Sequence, residues 1–308
     1  MQELCPNAWM INFTNPAGMV TEAVLRYTDF KRVIGLCNVP VNMVNGFARL
    51  LNVDPDRVTM EISGLNHHIF ATDIFVDGKS VLLQVLEIYQ HISAEDAISM
   101  KNFSTLPFSP GFIRGLNCIP CPYHNYYFFT KEQLEEELEQ YKEGNVRGEV
   151  VKRVEDELFE LYQDPDLCVK PKQLESRGGA RYSDAACNLV CSLYNNTGDI
   201  QYVDVRNNGA VSNLPDDSAV EIACIITGDG PKPIAVGELK PQINGTIQTI
   251  KTFERLVCEA AVTGNRDLAV TALNMNPLCP SDELANLVVD ELLEAHKEYL
   301  PQFFYKDK

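Results

Sequence analysis

Residues 8–40 decide the fold, because the sequence AWMINFTNPAGMVTEAVLRYTDFKRVIGLCNVP places a helical repeat between two short apolar runs. The first run, residues 8–13, ends at a Thr-Asn-Pro turn, which is typical of a buried strand. The second run covers residues 33–37. Between them, apolar side chains recur at the spacing of one helix face, at Val20, Ala23, Val24 and Tyr27. Strand, helix and strand form a βαβ unit, which predicts a parallel sheet.

Both strands of this unit end in polar turns. Pro40 fits the first turn of a second helix, so Cys37 and Asn38 lie at a strand's carboxyl end and a helix's start. Asn15 follows the first strand in the same way. Ligands of open α/β sheets bind outside the carboxyl ends of the strands. We therefore expect a functional site at Asn15 and at Cys37–Asn38.

The remainder of the chain mixes strands and helices. Apolar alternation predicts strands near 58–63 and 69–75, on either side of the sequence Gly-Leu-Asn-His-His at 64–68. Helical, acidic sequence covers 131–163, with a break near Gly144, and further helices are expected at 183–194, 246–263 and 281–297. The fold class is therefore α/β with an α+β C-terminal part. No G-x-G-x-x-G motif follows a strand, so we expect the chain to begin inside a nucleotide-binding domain whose first half is missing.

Composition excludes several classes of protein. The 308 residues include 26 Lys and Arg against 43 Asp and Glu, a formal charge of −17, which argues against a nucleic-acid surface. A small anionic substrate can still occupy a locally basic pocket. The ten cysteines are too sparse for a disulfide framework. With no signal region and no apolar run of membrane-spanning length, the sequence predicts a cytoplasmic protein with no membrane partner.

Two sets of cysteine and histidine side chains could carry chemistry. Cys37 and His67 each lie at a strand end, and a thiolate with an imidazole suits Zn²⁺ or another borderline divalent ion. The alternative is that Cys37 is only a small buried hydrophobe. Cys118 and Cys121 match C-x-x-C, a redox pair or half of a zinc site, but no second C-x-x-C supports this interpretation.

Two polar segments could bind an anion. In Arg177-Gly-Gly-Ala-Arg181-Tyr182, the glycines allow a close backbone approach, the two arginines can pair with an anion, and the tyrosine could lose its proton more easily beside them. An ordinary loop is the alternative. Arg206 opens a second polar turn, which plain turn chemistry also explains.

Taken together, five stretches resemble glycoside hydrolase family 4, the NAD- and metal-dependent 6-phospho-glycosidases. They are residues 12–18, 35–40, 64–67, 177–182 and 207–217. The resemblance covers essentially the whole chain. It implies a remnant of a Rossmann-like NAD-binding domain at 1–37, followed at 38–308 by a metal and substrate domain like that of lactate and malate dehydrogenases. The family is an exception to the two-carboxylate rule of glycosidases, and no acid pair is evident here.

The resemblance also implies a mechanism and roles. NAD⁺ takes a hydride from C3 of the sugar, a base removes the acidified C2 proton, and the glycosidic oxygen leaves by elimination; water then adds and the ketone is reduced back. A divalent metal, usually Mn²⁺, stabilises the developing enolate. By resemblance Cys37 and His67 are the metal ligands and Tyr182 is the base.

Further residues follow from the same resemblance. Asn38, in Cys-Asn-x-Pro, resembles the phospho-β-glucosidases rather than the α-specific members, so the substrate is a 6-phosphorylated β-glucoside. Asn15 resembles the residue at the nicotinamide and sugar end of the cleft. The candidates for the sugar phosphate are Arg177, Arg181 and Arg206. The oligomeric state that is usual in the family and the aromatic stretch at 122–129 suggest a homodimer or homotetramer.

One departure leaves other functions open. The phosphate-binding glycine loop of the family has no counterpart here, so we expect a truncated form that binds NAD⁺ poorly alone. A wrongly assigned start and a split or degenerate gene are the alternatives to truncation. The first alternative is a lactate- or malate-type dehydrogenase, which would turn over without metal. The second is a non-catalytic module that binds sugar phosphates or serves assembly.

Overall fold

The computed structural model describes residues 1–92, 98, 105–174 and 181–305. Nine strands are assigned within these residues: β1 Met10–Asn12, β2 Val33–Gly35, β3 Val58–Leu65, β4 His68–Val76, β5 Lys79–Ser80, β6 Ile119–Pro120, β7 Ile200–Arg206, β8 Ala219–Thr227 and β9 Gly230–Pro233. The α-helices are α1 Ala17–Tyr27, α2 Val39–Leu51, α3 Leu82–Tyr89, α4 Pro110–Leu116, α5 Asn125–Phe128, α6 Thr130–Lys142, α7 Arg147–Leu161, α8 Tyr182–Asn195, α9 Pro241–Thr263, α10 Arg266–Met275, α11 Asp282–Ala295 and α12 Pro301–Phe304.

The first sheet has five strands in the order β1-β2-β7-β8-β9. Strands β1 and β2 are parallel and joined by α1, which confirms the predicted βαβ unit. Strand β7 adds antiparallel to β2, and β8 and β9 continue in the antiparallel sense. Strands β1 and β2 of this sheet lie before the predicted domain boundary at residues 37 and 38, and β7, β8 and β9 lie after it. The boundary itself stays a prediction.

The second sheet is built on the long hairpin of β3 and β4, which pair from Val58 to Val76. Strands β5 and β6 both pair with β4. Helices α2 and α3 cover this sheet, and their core includes the fully buried Met43, Phe47 and Val85. The Tyr202 hydroxyl on β7 accepts a hydrogen bond of 2.9 Å from the Met60 N–H on β3, so the two sheets are joined directly.

The helix predictions hold with small differences at the ends. The acidic stretch forms α6 and α7, separated at residues 143–146, where Gly144 has a φ of +63°. Helix α9 begins at Pro241 rather than 246, because a proline in the first turn lacks an N–H that the helix does not need there. Among the described helices, none is both long and apolar enough to cross a membrane. All ten cysteines are free thiols.

Candidate active site

The Cys37–Asn38 turn joins β2 to α2 and is buried. Both side chains are at most 3% exposed. The Val39 N–H, at the start of α2, donates to Cys37 Sγ at 3.5 Å, and the thiol faces Asn38 Oδ1 at 3.9 Å. Burial, aided by the Glu221 carboxyl, raises the pKa of Cys37 well above its usual value. The thiol is therefore protonated at neutral pH, and it would have to lose this proton to ligate a metal.

His67 occupies the tight turn between β3 and β4. Its φ of +62° is uncommon for a residue with a side chain. The turn can close because residue 64 is glycine; a Cβ there would lie 2.2 Å from the His68 carbonyl oxygen. The imidazole stacks on the Tyr123 ring with centroids 4.0 Å apart. Burial lowers the pKa of His67 to about 4, so at neutral pH the ring is uncharged and keeps a lone pair for a metal.

Glu221 on β8 connects these two turns. Among charged groups, its carboxyl has the largest effect on the pKa of Cys37, and the Asn66 side chain and the His67 backbone N–H lower the pKa of this carboxyl. Burial and the neighbouring Asp204 nevertheless raise the pKa of Glu221 well above its usual value. Glu221 thus influences the Cys37 turn after β2 and is itself influenced by the backbone of the β3–β4 turn that carries His67.

The donor set fits a borderline divalent cation. A thiolate and a neutral imidazole are ligands for Zn²⁺ and similar borderline divalent ions. Within the described part of the chain, no group of three or more His, Cys, Asp or Glu side chains is arranged to hold a metal. Two protein ligands would leave coordination positions open, as in catalytic metal sites.

A pair of buried acids behind the site escaped the sequence analysis. Asp204 lies opposite Glu221 in the β7–β8 register and opposite Gly35 in β2, and both acids are fully buried. A Cβ at Gly35 would lie 2.7 Å from Asp204 Oδ2, so the glycine makes room for this carboxyl. Burial, together with Glu254, raises the pKa of Asp204 to about 7. Glu221 is the only charged residue in β8, whereas β7 also contains Gln201 and Arg206, so only Glu221 leaves a signal in the sequence.

A buried lysine stabilises the other side of this acidic cluster. Lys251 on α9 is 2% exposed, and its Nζ contacts Glu22 Oε2 at 2.6 Å, Glu254 Oε2 at 2.5 Å and the Ala219 carbonyl at 2.8 Å. Glu22 also accepts the Ala219 N–H at 3.0 Å. This network fixes α1 and α9 against β8. It therefore holds the sheet whose strand ends carry the candidate site.

The remaining predicted residues lie at several positions. Tyr182 begins α8, and its ring meets Phe13 edge-on with centroids 5.1 Å apart, next to the turn that contains the exposed Asn15. Arg181 precedes Tyr182, exposed and with a φ of +67°. Arg177 lies outside the described residues.

The structure does not bring Arg206 to this end of the sheet. Asp204 lies opposite Gly35, and β7 runs antiparallel to β2. Arg206, two residues after Asp204, therefore lies two residues toward the start of β2. Cys37 lies two residues from Gly35 in the other direction. At ~3.4 Å per residue this separates them by roughly 14 Å along the strands. The neighbouring polar turn has a structural explanation, because the buried Asn207 side chain bonds Val211 and Leu214.

Comparison with known proteins identifies the family of the chain. The model of the "Family 4 glycosyl hydrolase C-terminal domain" matches residues 62–279, and that of "Family 4 glycosyl hydrolase" matches residues 1–53. The chain belongs to glycosyl hydrolase family 4. The predicted resemblance is thereby confirmed, and with it the enzyme class.

Three relatives of the chain are named 6-phospho-beta-glucosidases. A probable 6-phospho-beta-glucosidase of Bacillus subtilis (strain 168) is 57% identical over 99% of this chain and 69% of its own length. The 6-phospho-beta-glucosidase of Escherichia coli (strain K12) is 46% identical over 98% and 68%. The Thermotoga maritima 6-phospho-beta glucosidase, solved with manganese, NAD⁺ and glucose-6-phosphate, superposes with a TM-score of 0.83 at 33% identity, over 96% of this chain and 67% of that one. The mixed α/β fold is therefore that of this family.

Proposed function

We propose that this chain is a 6-phospho-β-glucosidase that uses NAD and a divalent cation to cleave phosphorylated β-glucosides. The carrying observation is that the chain is 57% and 46% identical to proteins with that name; its fold places Cys37 just after β2 and His67 in the turn between β3 and β4. Relatives named for α-linked substrates are 25–28% identical. The β preference also agrees with Asn38 in the Cys-Asn-x-Pro turn.

In this proposal Cys37 and His67 hold the cation. A divalent ion there supplies Lewis-acid stabilisation of negative charge on the sugar oxygens, and NAD⁺ supplies the hydride acceptor. Asn15, at the end of β1, and Asn38, at the start of α2, then orient the sugar against both groups. The exposed Arg181, with Arg177, is the candidate for the sugar phosphate, since guanidinium groups pair well with phosphate. Arg206 is a weaker candidate because of its place on the sheet.

Two tyrosines compete for the role of base at C2 of the sugar. Tyr182, chosen from the sequence, lies beside Phe13 and the Asn15 turn. Tyr123 belongs to the aromatic stretch at 122–129, and its ring stacks on His67, the proposed ligand. A general base must lie within hydrogen-bond reach of the proton it removes. Loss of substrate C2 proton exchange in Tyr182→Phe or in Tyr123→Phe, with metal binding kept, identifies the base.

The first test is Mn²⁺ binding by electron paramagnetic resonance under reducing conditions. We expect one ion per chain, lost in Cys37→Ser and in His67→Ala. Matched controls are Cys224→Ser, a buried thiol elsewhere in the first sheet, and His91→Ala, an exposed imidazole. Binding that survives in both ligand variants would contradict the proposal. Turnover that proceeds without metal would favour a dehydrogenase, and binding of sugar phosphate without turnover would favour the non-catalytic module.

Compartment and assembly complete the proposal. We infer that the protein is cytoplasmic, which its ten free thiols support. We also infer a homodimer or homotetramer, which the family resemblance supports. Light scattering of the purified chain measures the assembly, and a monomer at micromolar concentration would contradict this part.

A further inference from the structure

The C-x-x-C motif at 118–121 does not form a redox pair in this fold. Both thiols are free and fully buried. Cys118 belongs to the core of the first sheet, whereas Cys121 belongs to the core of the second. A thiol that exchanges disulfides must be accessible, which neither is. Cys121 is therefore available for another role, and its contacts indicate which.

Cys121 contacts the backbone of the proposed ligand His67. Its Sγ lies 3.4 Å from the His67 carbonyl oxygen and 3.3 Å from His124 Nδ1. A carbonyl can only accept, so the single thiol hydrogen points at His67. His124 Nδ1, which also lies 3.2 Å from the Cys121 carbonyl, must then carry its own hydrogen and donate toward Cys121. One consistent proton arrangement thus runs from His124 through Cys121 to His67.

His67 needs such support because its backbone is in the left-handed region. Residues with a Cβ occupy this region only where surrounding contacts impose it. Cys121 is a rigid anchor, since β6 pairs with β4 just before it and its own N–H donates to the Ile69 carbonyl at 3.1 Å. Two residues later, Tyr123 stacks on the imidazole. The segment 121–123 therefore contacts both the backbone and the ring of His67.

We propose that Cys121 is a positioning residue for the cation site, whose thiol holds the His67 backbone so that the imidazole meets the ion together with Cys37. The inference rests on the proposed function, in which His67 is a metal ligand. Groups that orient a metal-binding histidine typically change metal affinity by 10–100-fold when removed. A backbone contact from a weak donor belongs at the lower end of that range.

The test compares Mn²⁺ dissociation constants, by electron paramagnetic resonance, for matched substitutions in the same motif. Cys121→Ala is expected to weaken Mn²⁺ binding about tenfold. Cys118→Ala removes an equally buried thiol that does not contact His67, and should leave the affinity unchanged. Cys121→Ser keeps a donor and should recover most of the affinity. If Cys121→Ala does not fold, Cys121→Val fills the volume without a donor and is expected to weaken binding equally.

The outcomes separate this inference from the proposed function. Unchanged affinity in Cys121→Ala, equal losses in the Cys118 and Cys121 variants, or no recovery with serine would each overturn the positioning role alone. Wild-type protein that does not bind Mn²⁺, or binds it still after His67→Ala, would overturn the metal site and this inference with it. A cobalt(II) titration adds a second readout. The thiolate charge-transfer band from Cys37 should remain in Cys121→Ala but saturate at higher cobalt concentration.

Discussion

Replacing Lys251 by methionine would remove the positive charge that pairs with a cluster of buried acids. Its ammonium group contacts Glu22 and Glu254 at 2.6 and 2.5 Å, and all three side chains are at most 6% exposed. Burial alone would lower the pKa of Lys251, but the Glu254 and Glu22 carboxylates outweigh it and raise this pKa. Lysine is thus charged throughout the neutral range. Methionine matches its length and keeps the apolar contacts of the stem.

The expected loss is about 3–5 kcal/mol of unfolding free energy at pH 7, because breaking a buried ion pair leaves uncompensated charge. The loss should be smaller near pH 5. Burial raises the pKa of Glu254 in the folded protein, and without Lys251 it rises further. A carboxyl whose pKa is raised by folding binds a proton more tightly in the folded state, so it destabilises that state as pH increases above its unfolded pKa.

Urea unfolding of both proteins at pH 5 and pH 7 measures this difference. Lys297→Met is the matched control, since Lys297 pairs with Glu294 at 3.2 Å at the surface, with 45% and 70% of the side chains exposed. That variant should lose no more than about 0.5 kcal/mol. A Lys251→Met loss below about 1 kcal/mol, or a loss that grows toward pH 5, would refute the reasoning.

Three further predictions concern the sheet beneath the site. Gly35→Ala should destabilise the protein by about 1–3 kcal/mol in urea unfolding, because the added Cβ would lie 2.5 Å from Thr21 Oγ1; an unchanged midpoint would show that β2 can shift. Tyr202→Phe should cost about 1–3 kcal/mol and speed amide hydrogen exchange at Met60, whose N–H loses its acceptor; unaltered exchange there would contradict this. Since burial raises the pKa of Asp204 to about 7, Asp204→Asn should reduce the fall in stability between pH 4 and pH 7; an unchanged pH profile would assign that fall to other groups.

Local sequence patterns are sufficient to predict much of the secondary structure. The alternation of apolar runs and helical spacing in residues 8–51 was sufficient for β1, α1, β2 and α2 with their parallel pairing, because each signal is confined to a few neighbouring residues. The break at Gly144 was visible for the same reason. Nothing in such patterns tells which strands meet across long distances, so the pairing of β2 with β7 appears only in the structure.

The residues of the candidate site also fall into two groups, those that local sequence predicts and those that depend on long-range packing. Cys37, Asn38 and Asn15 could be located at strand ends from sequence, since that position follows from the βαβ unit alone. Asp204 and Glu221 could not, because a buried acid is recognised by what surrounds it and both sit in strands far along the chain. Tyr123 was missed for a related reason: its stacking on His67 depends on the packing of β6 against the hairpin.

The antiparallel junction between β2 and β7 also has a kinetic consequence. Gly35 and Asp204 lie opposite each other in neighbouring strands, yet the whole second sheet and helices α2 to α8 lie between them in the chain. Closing so long a loop costs entropy before any contact repays it, and such non-local pairing slows folding. The hairpin of β3 and β4 can form early and locally. The first sheet, by contrast, cannot be completed during synthesis until β7 and β8 have left the ribosome, so β2, which precedes the Cys37 turn, gains its second neighbouring strand late.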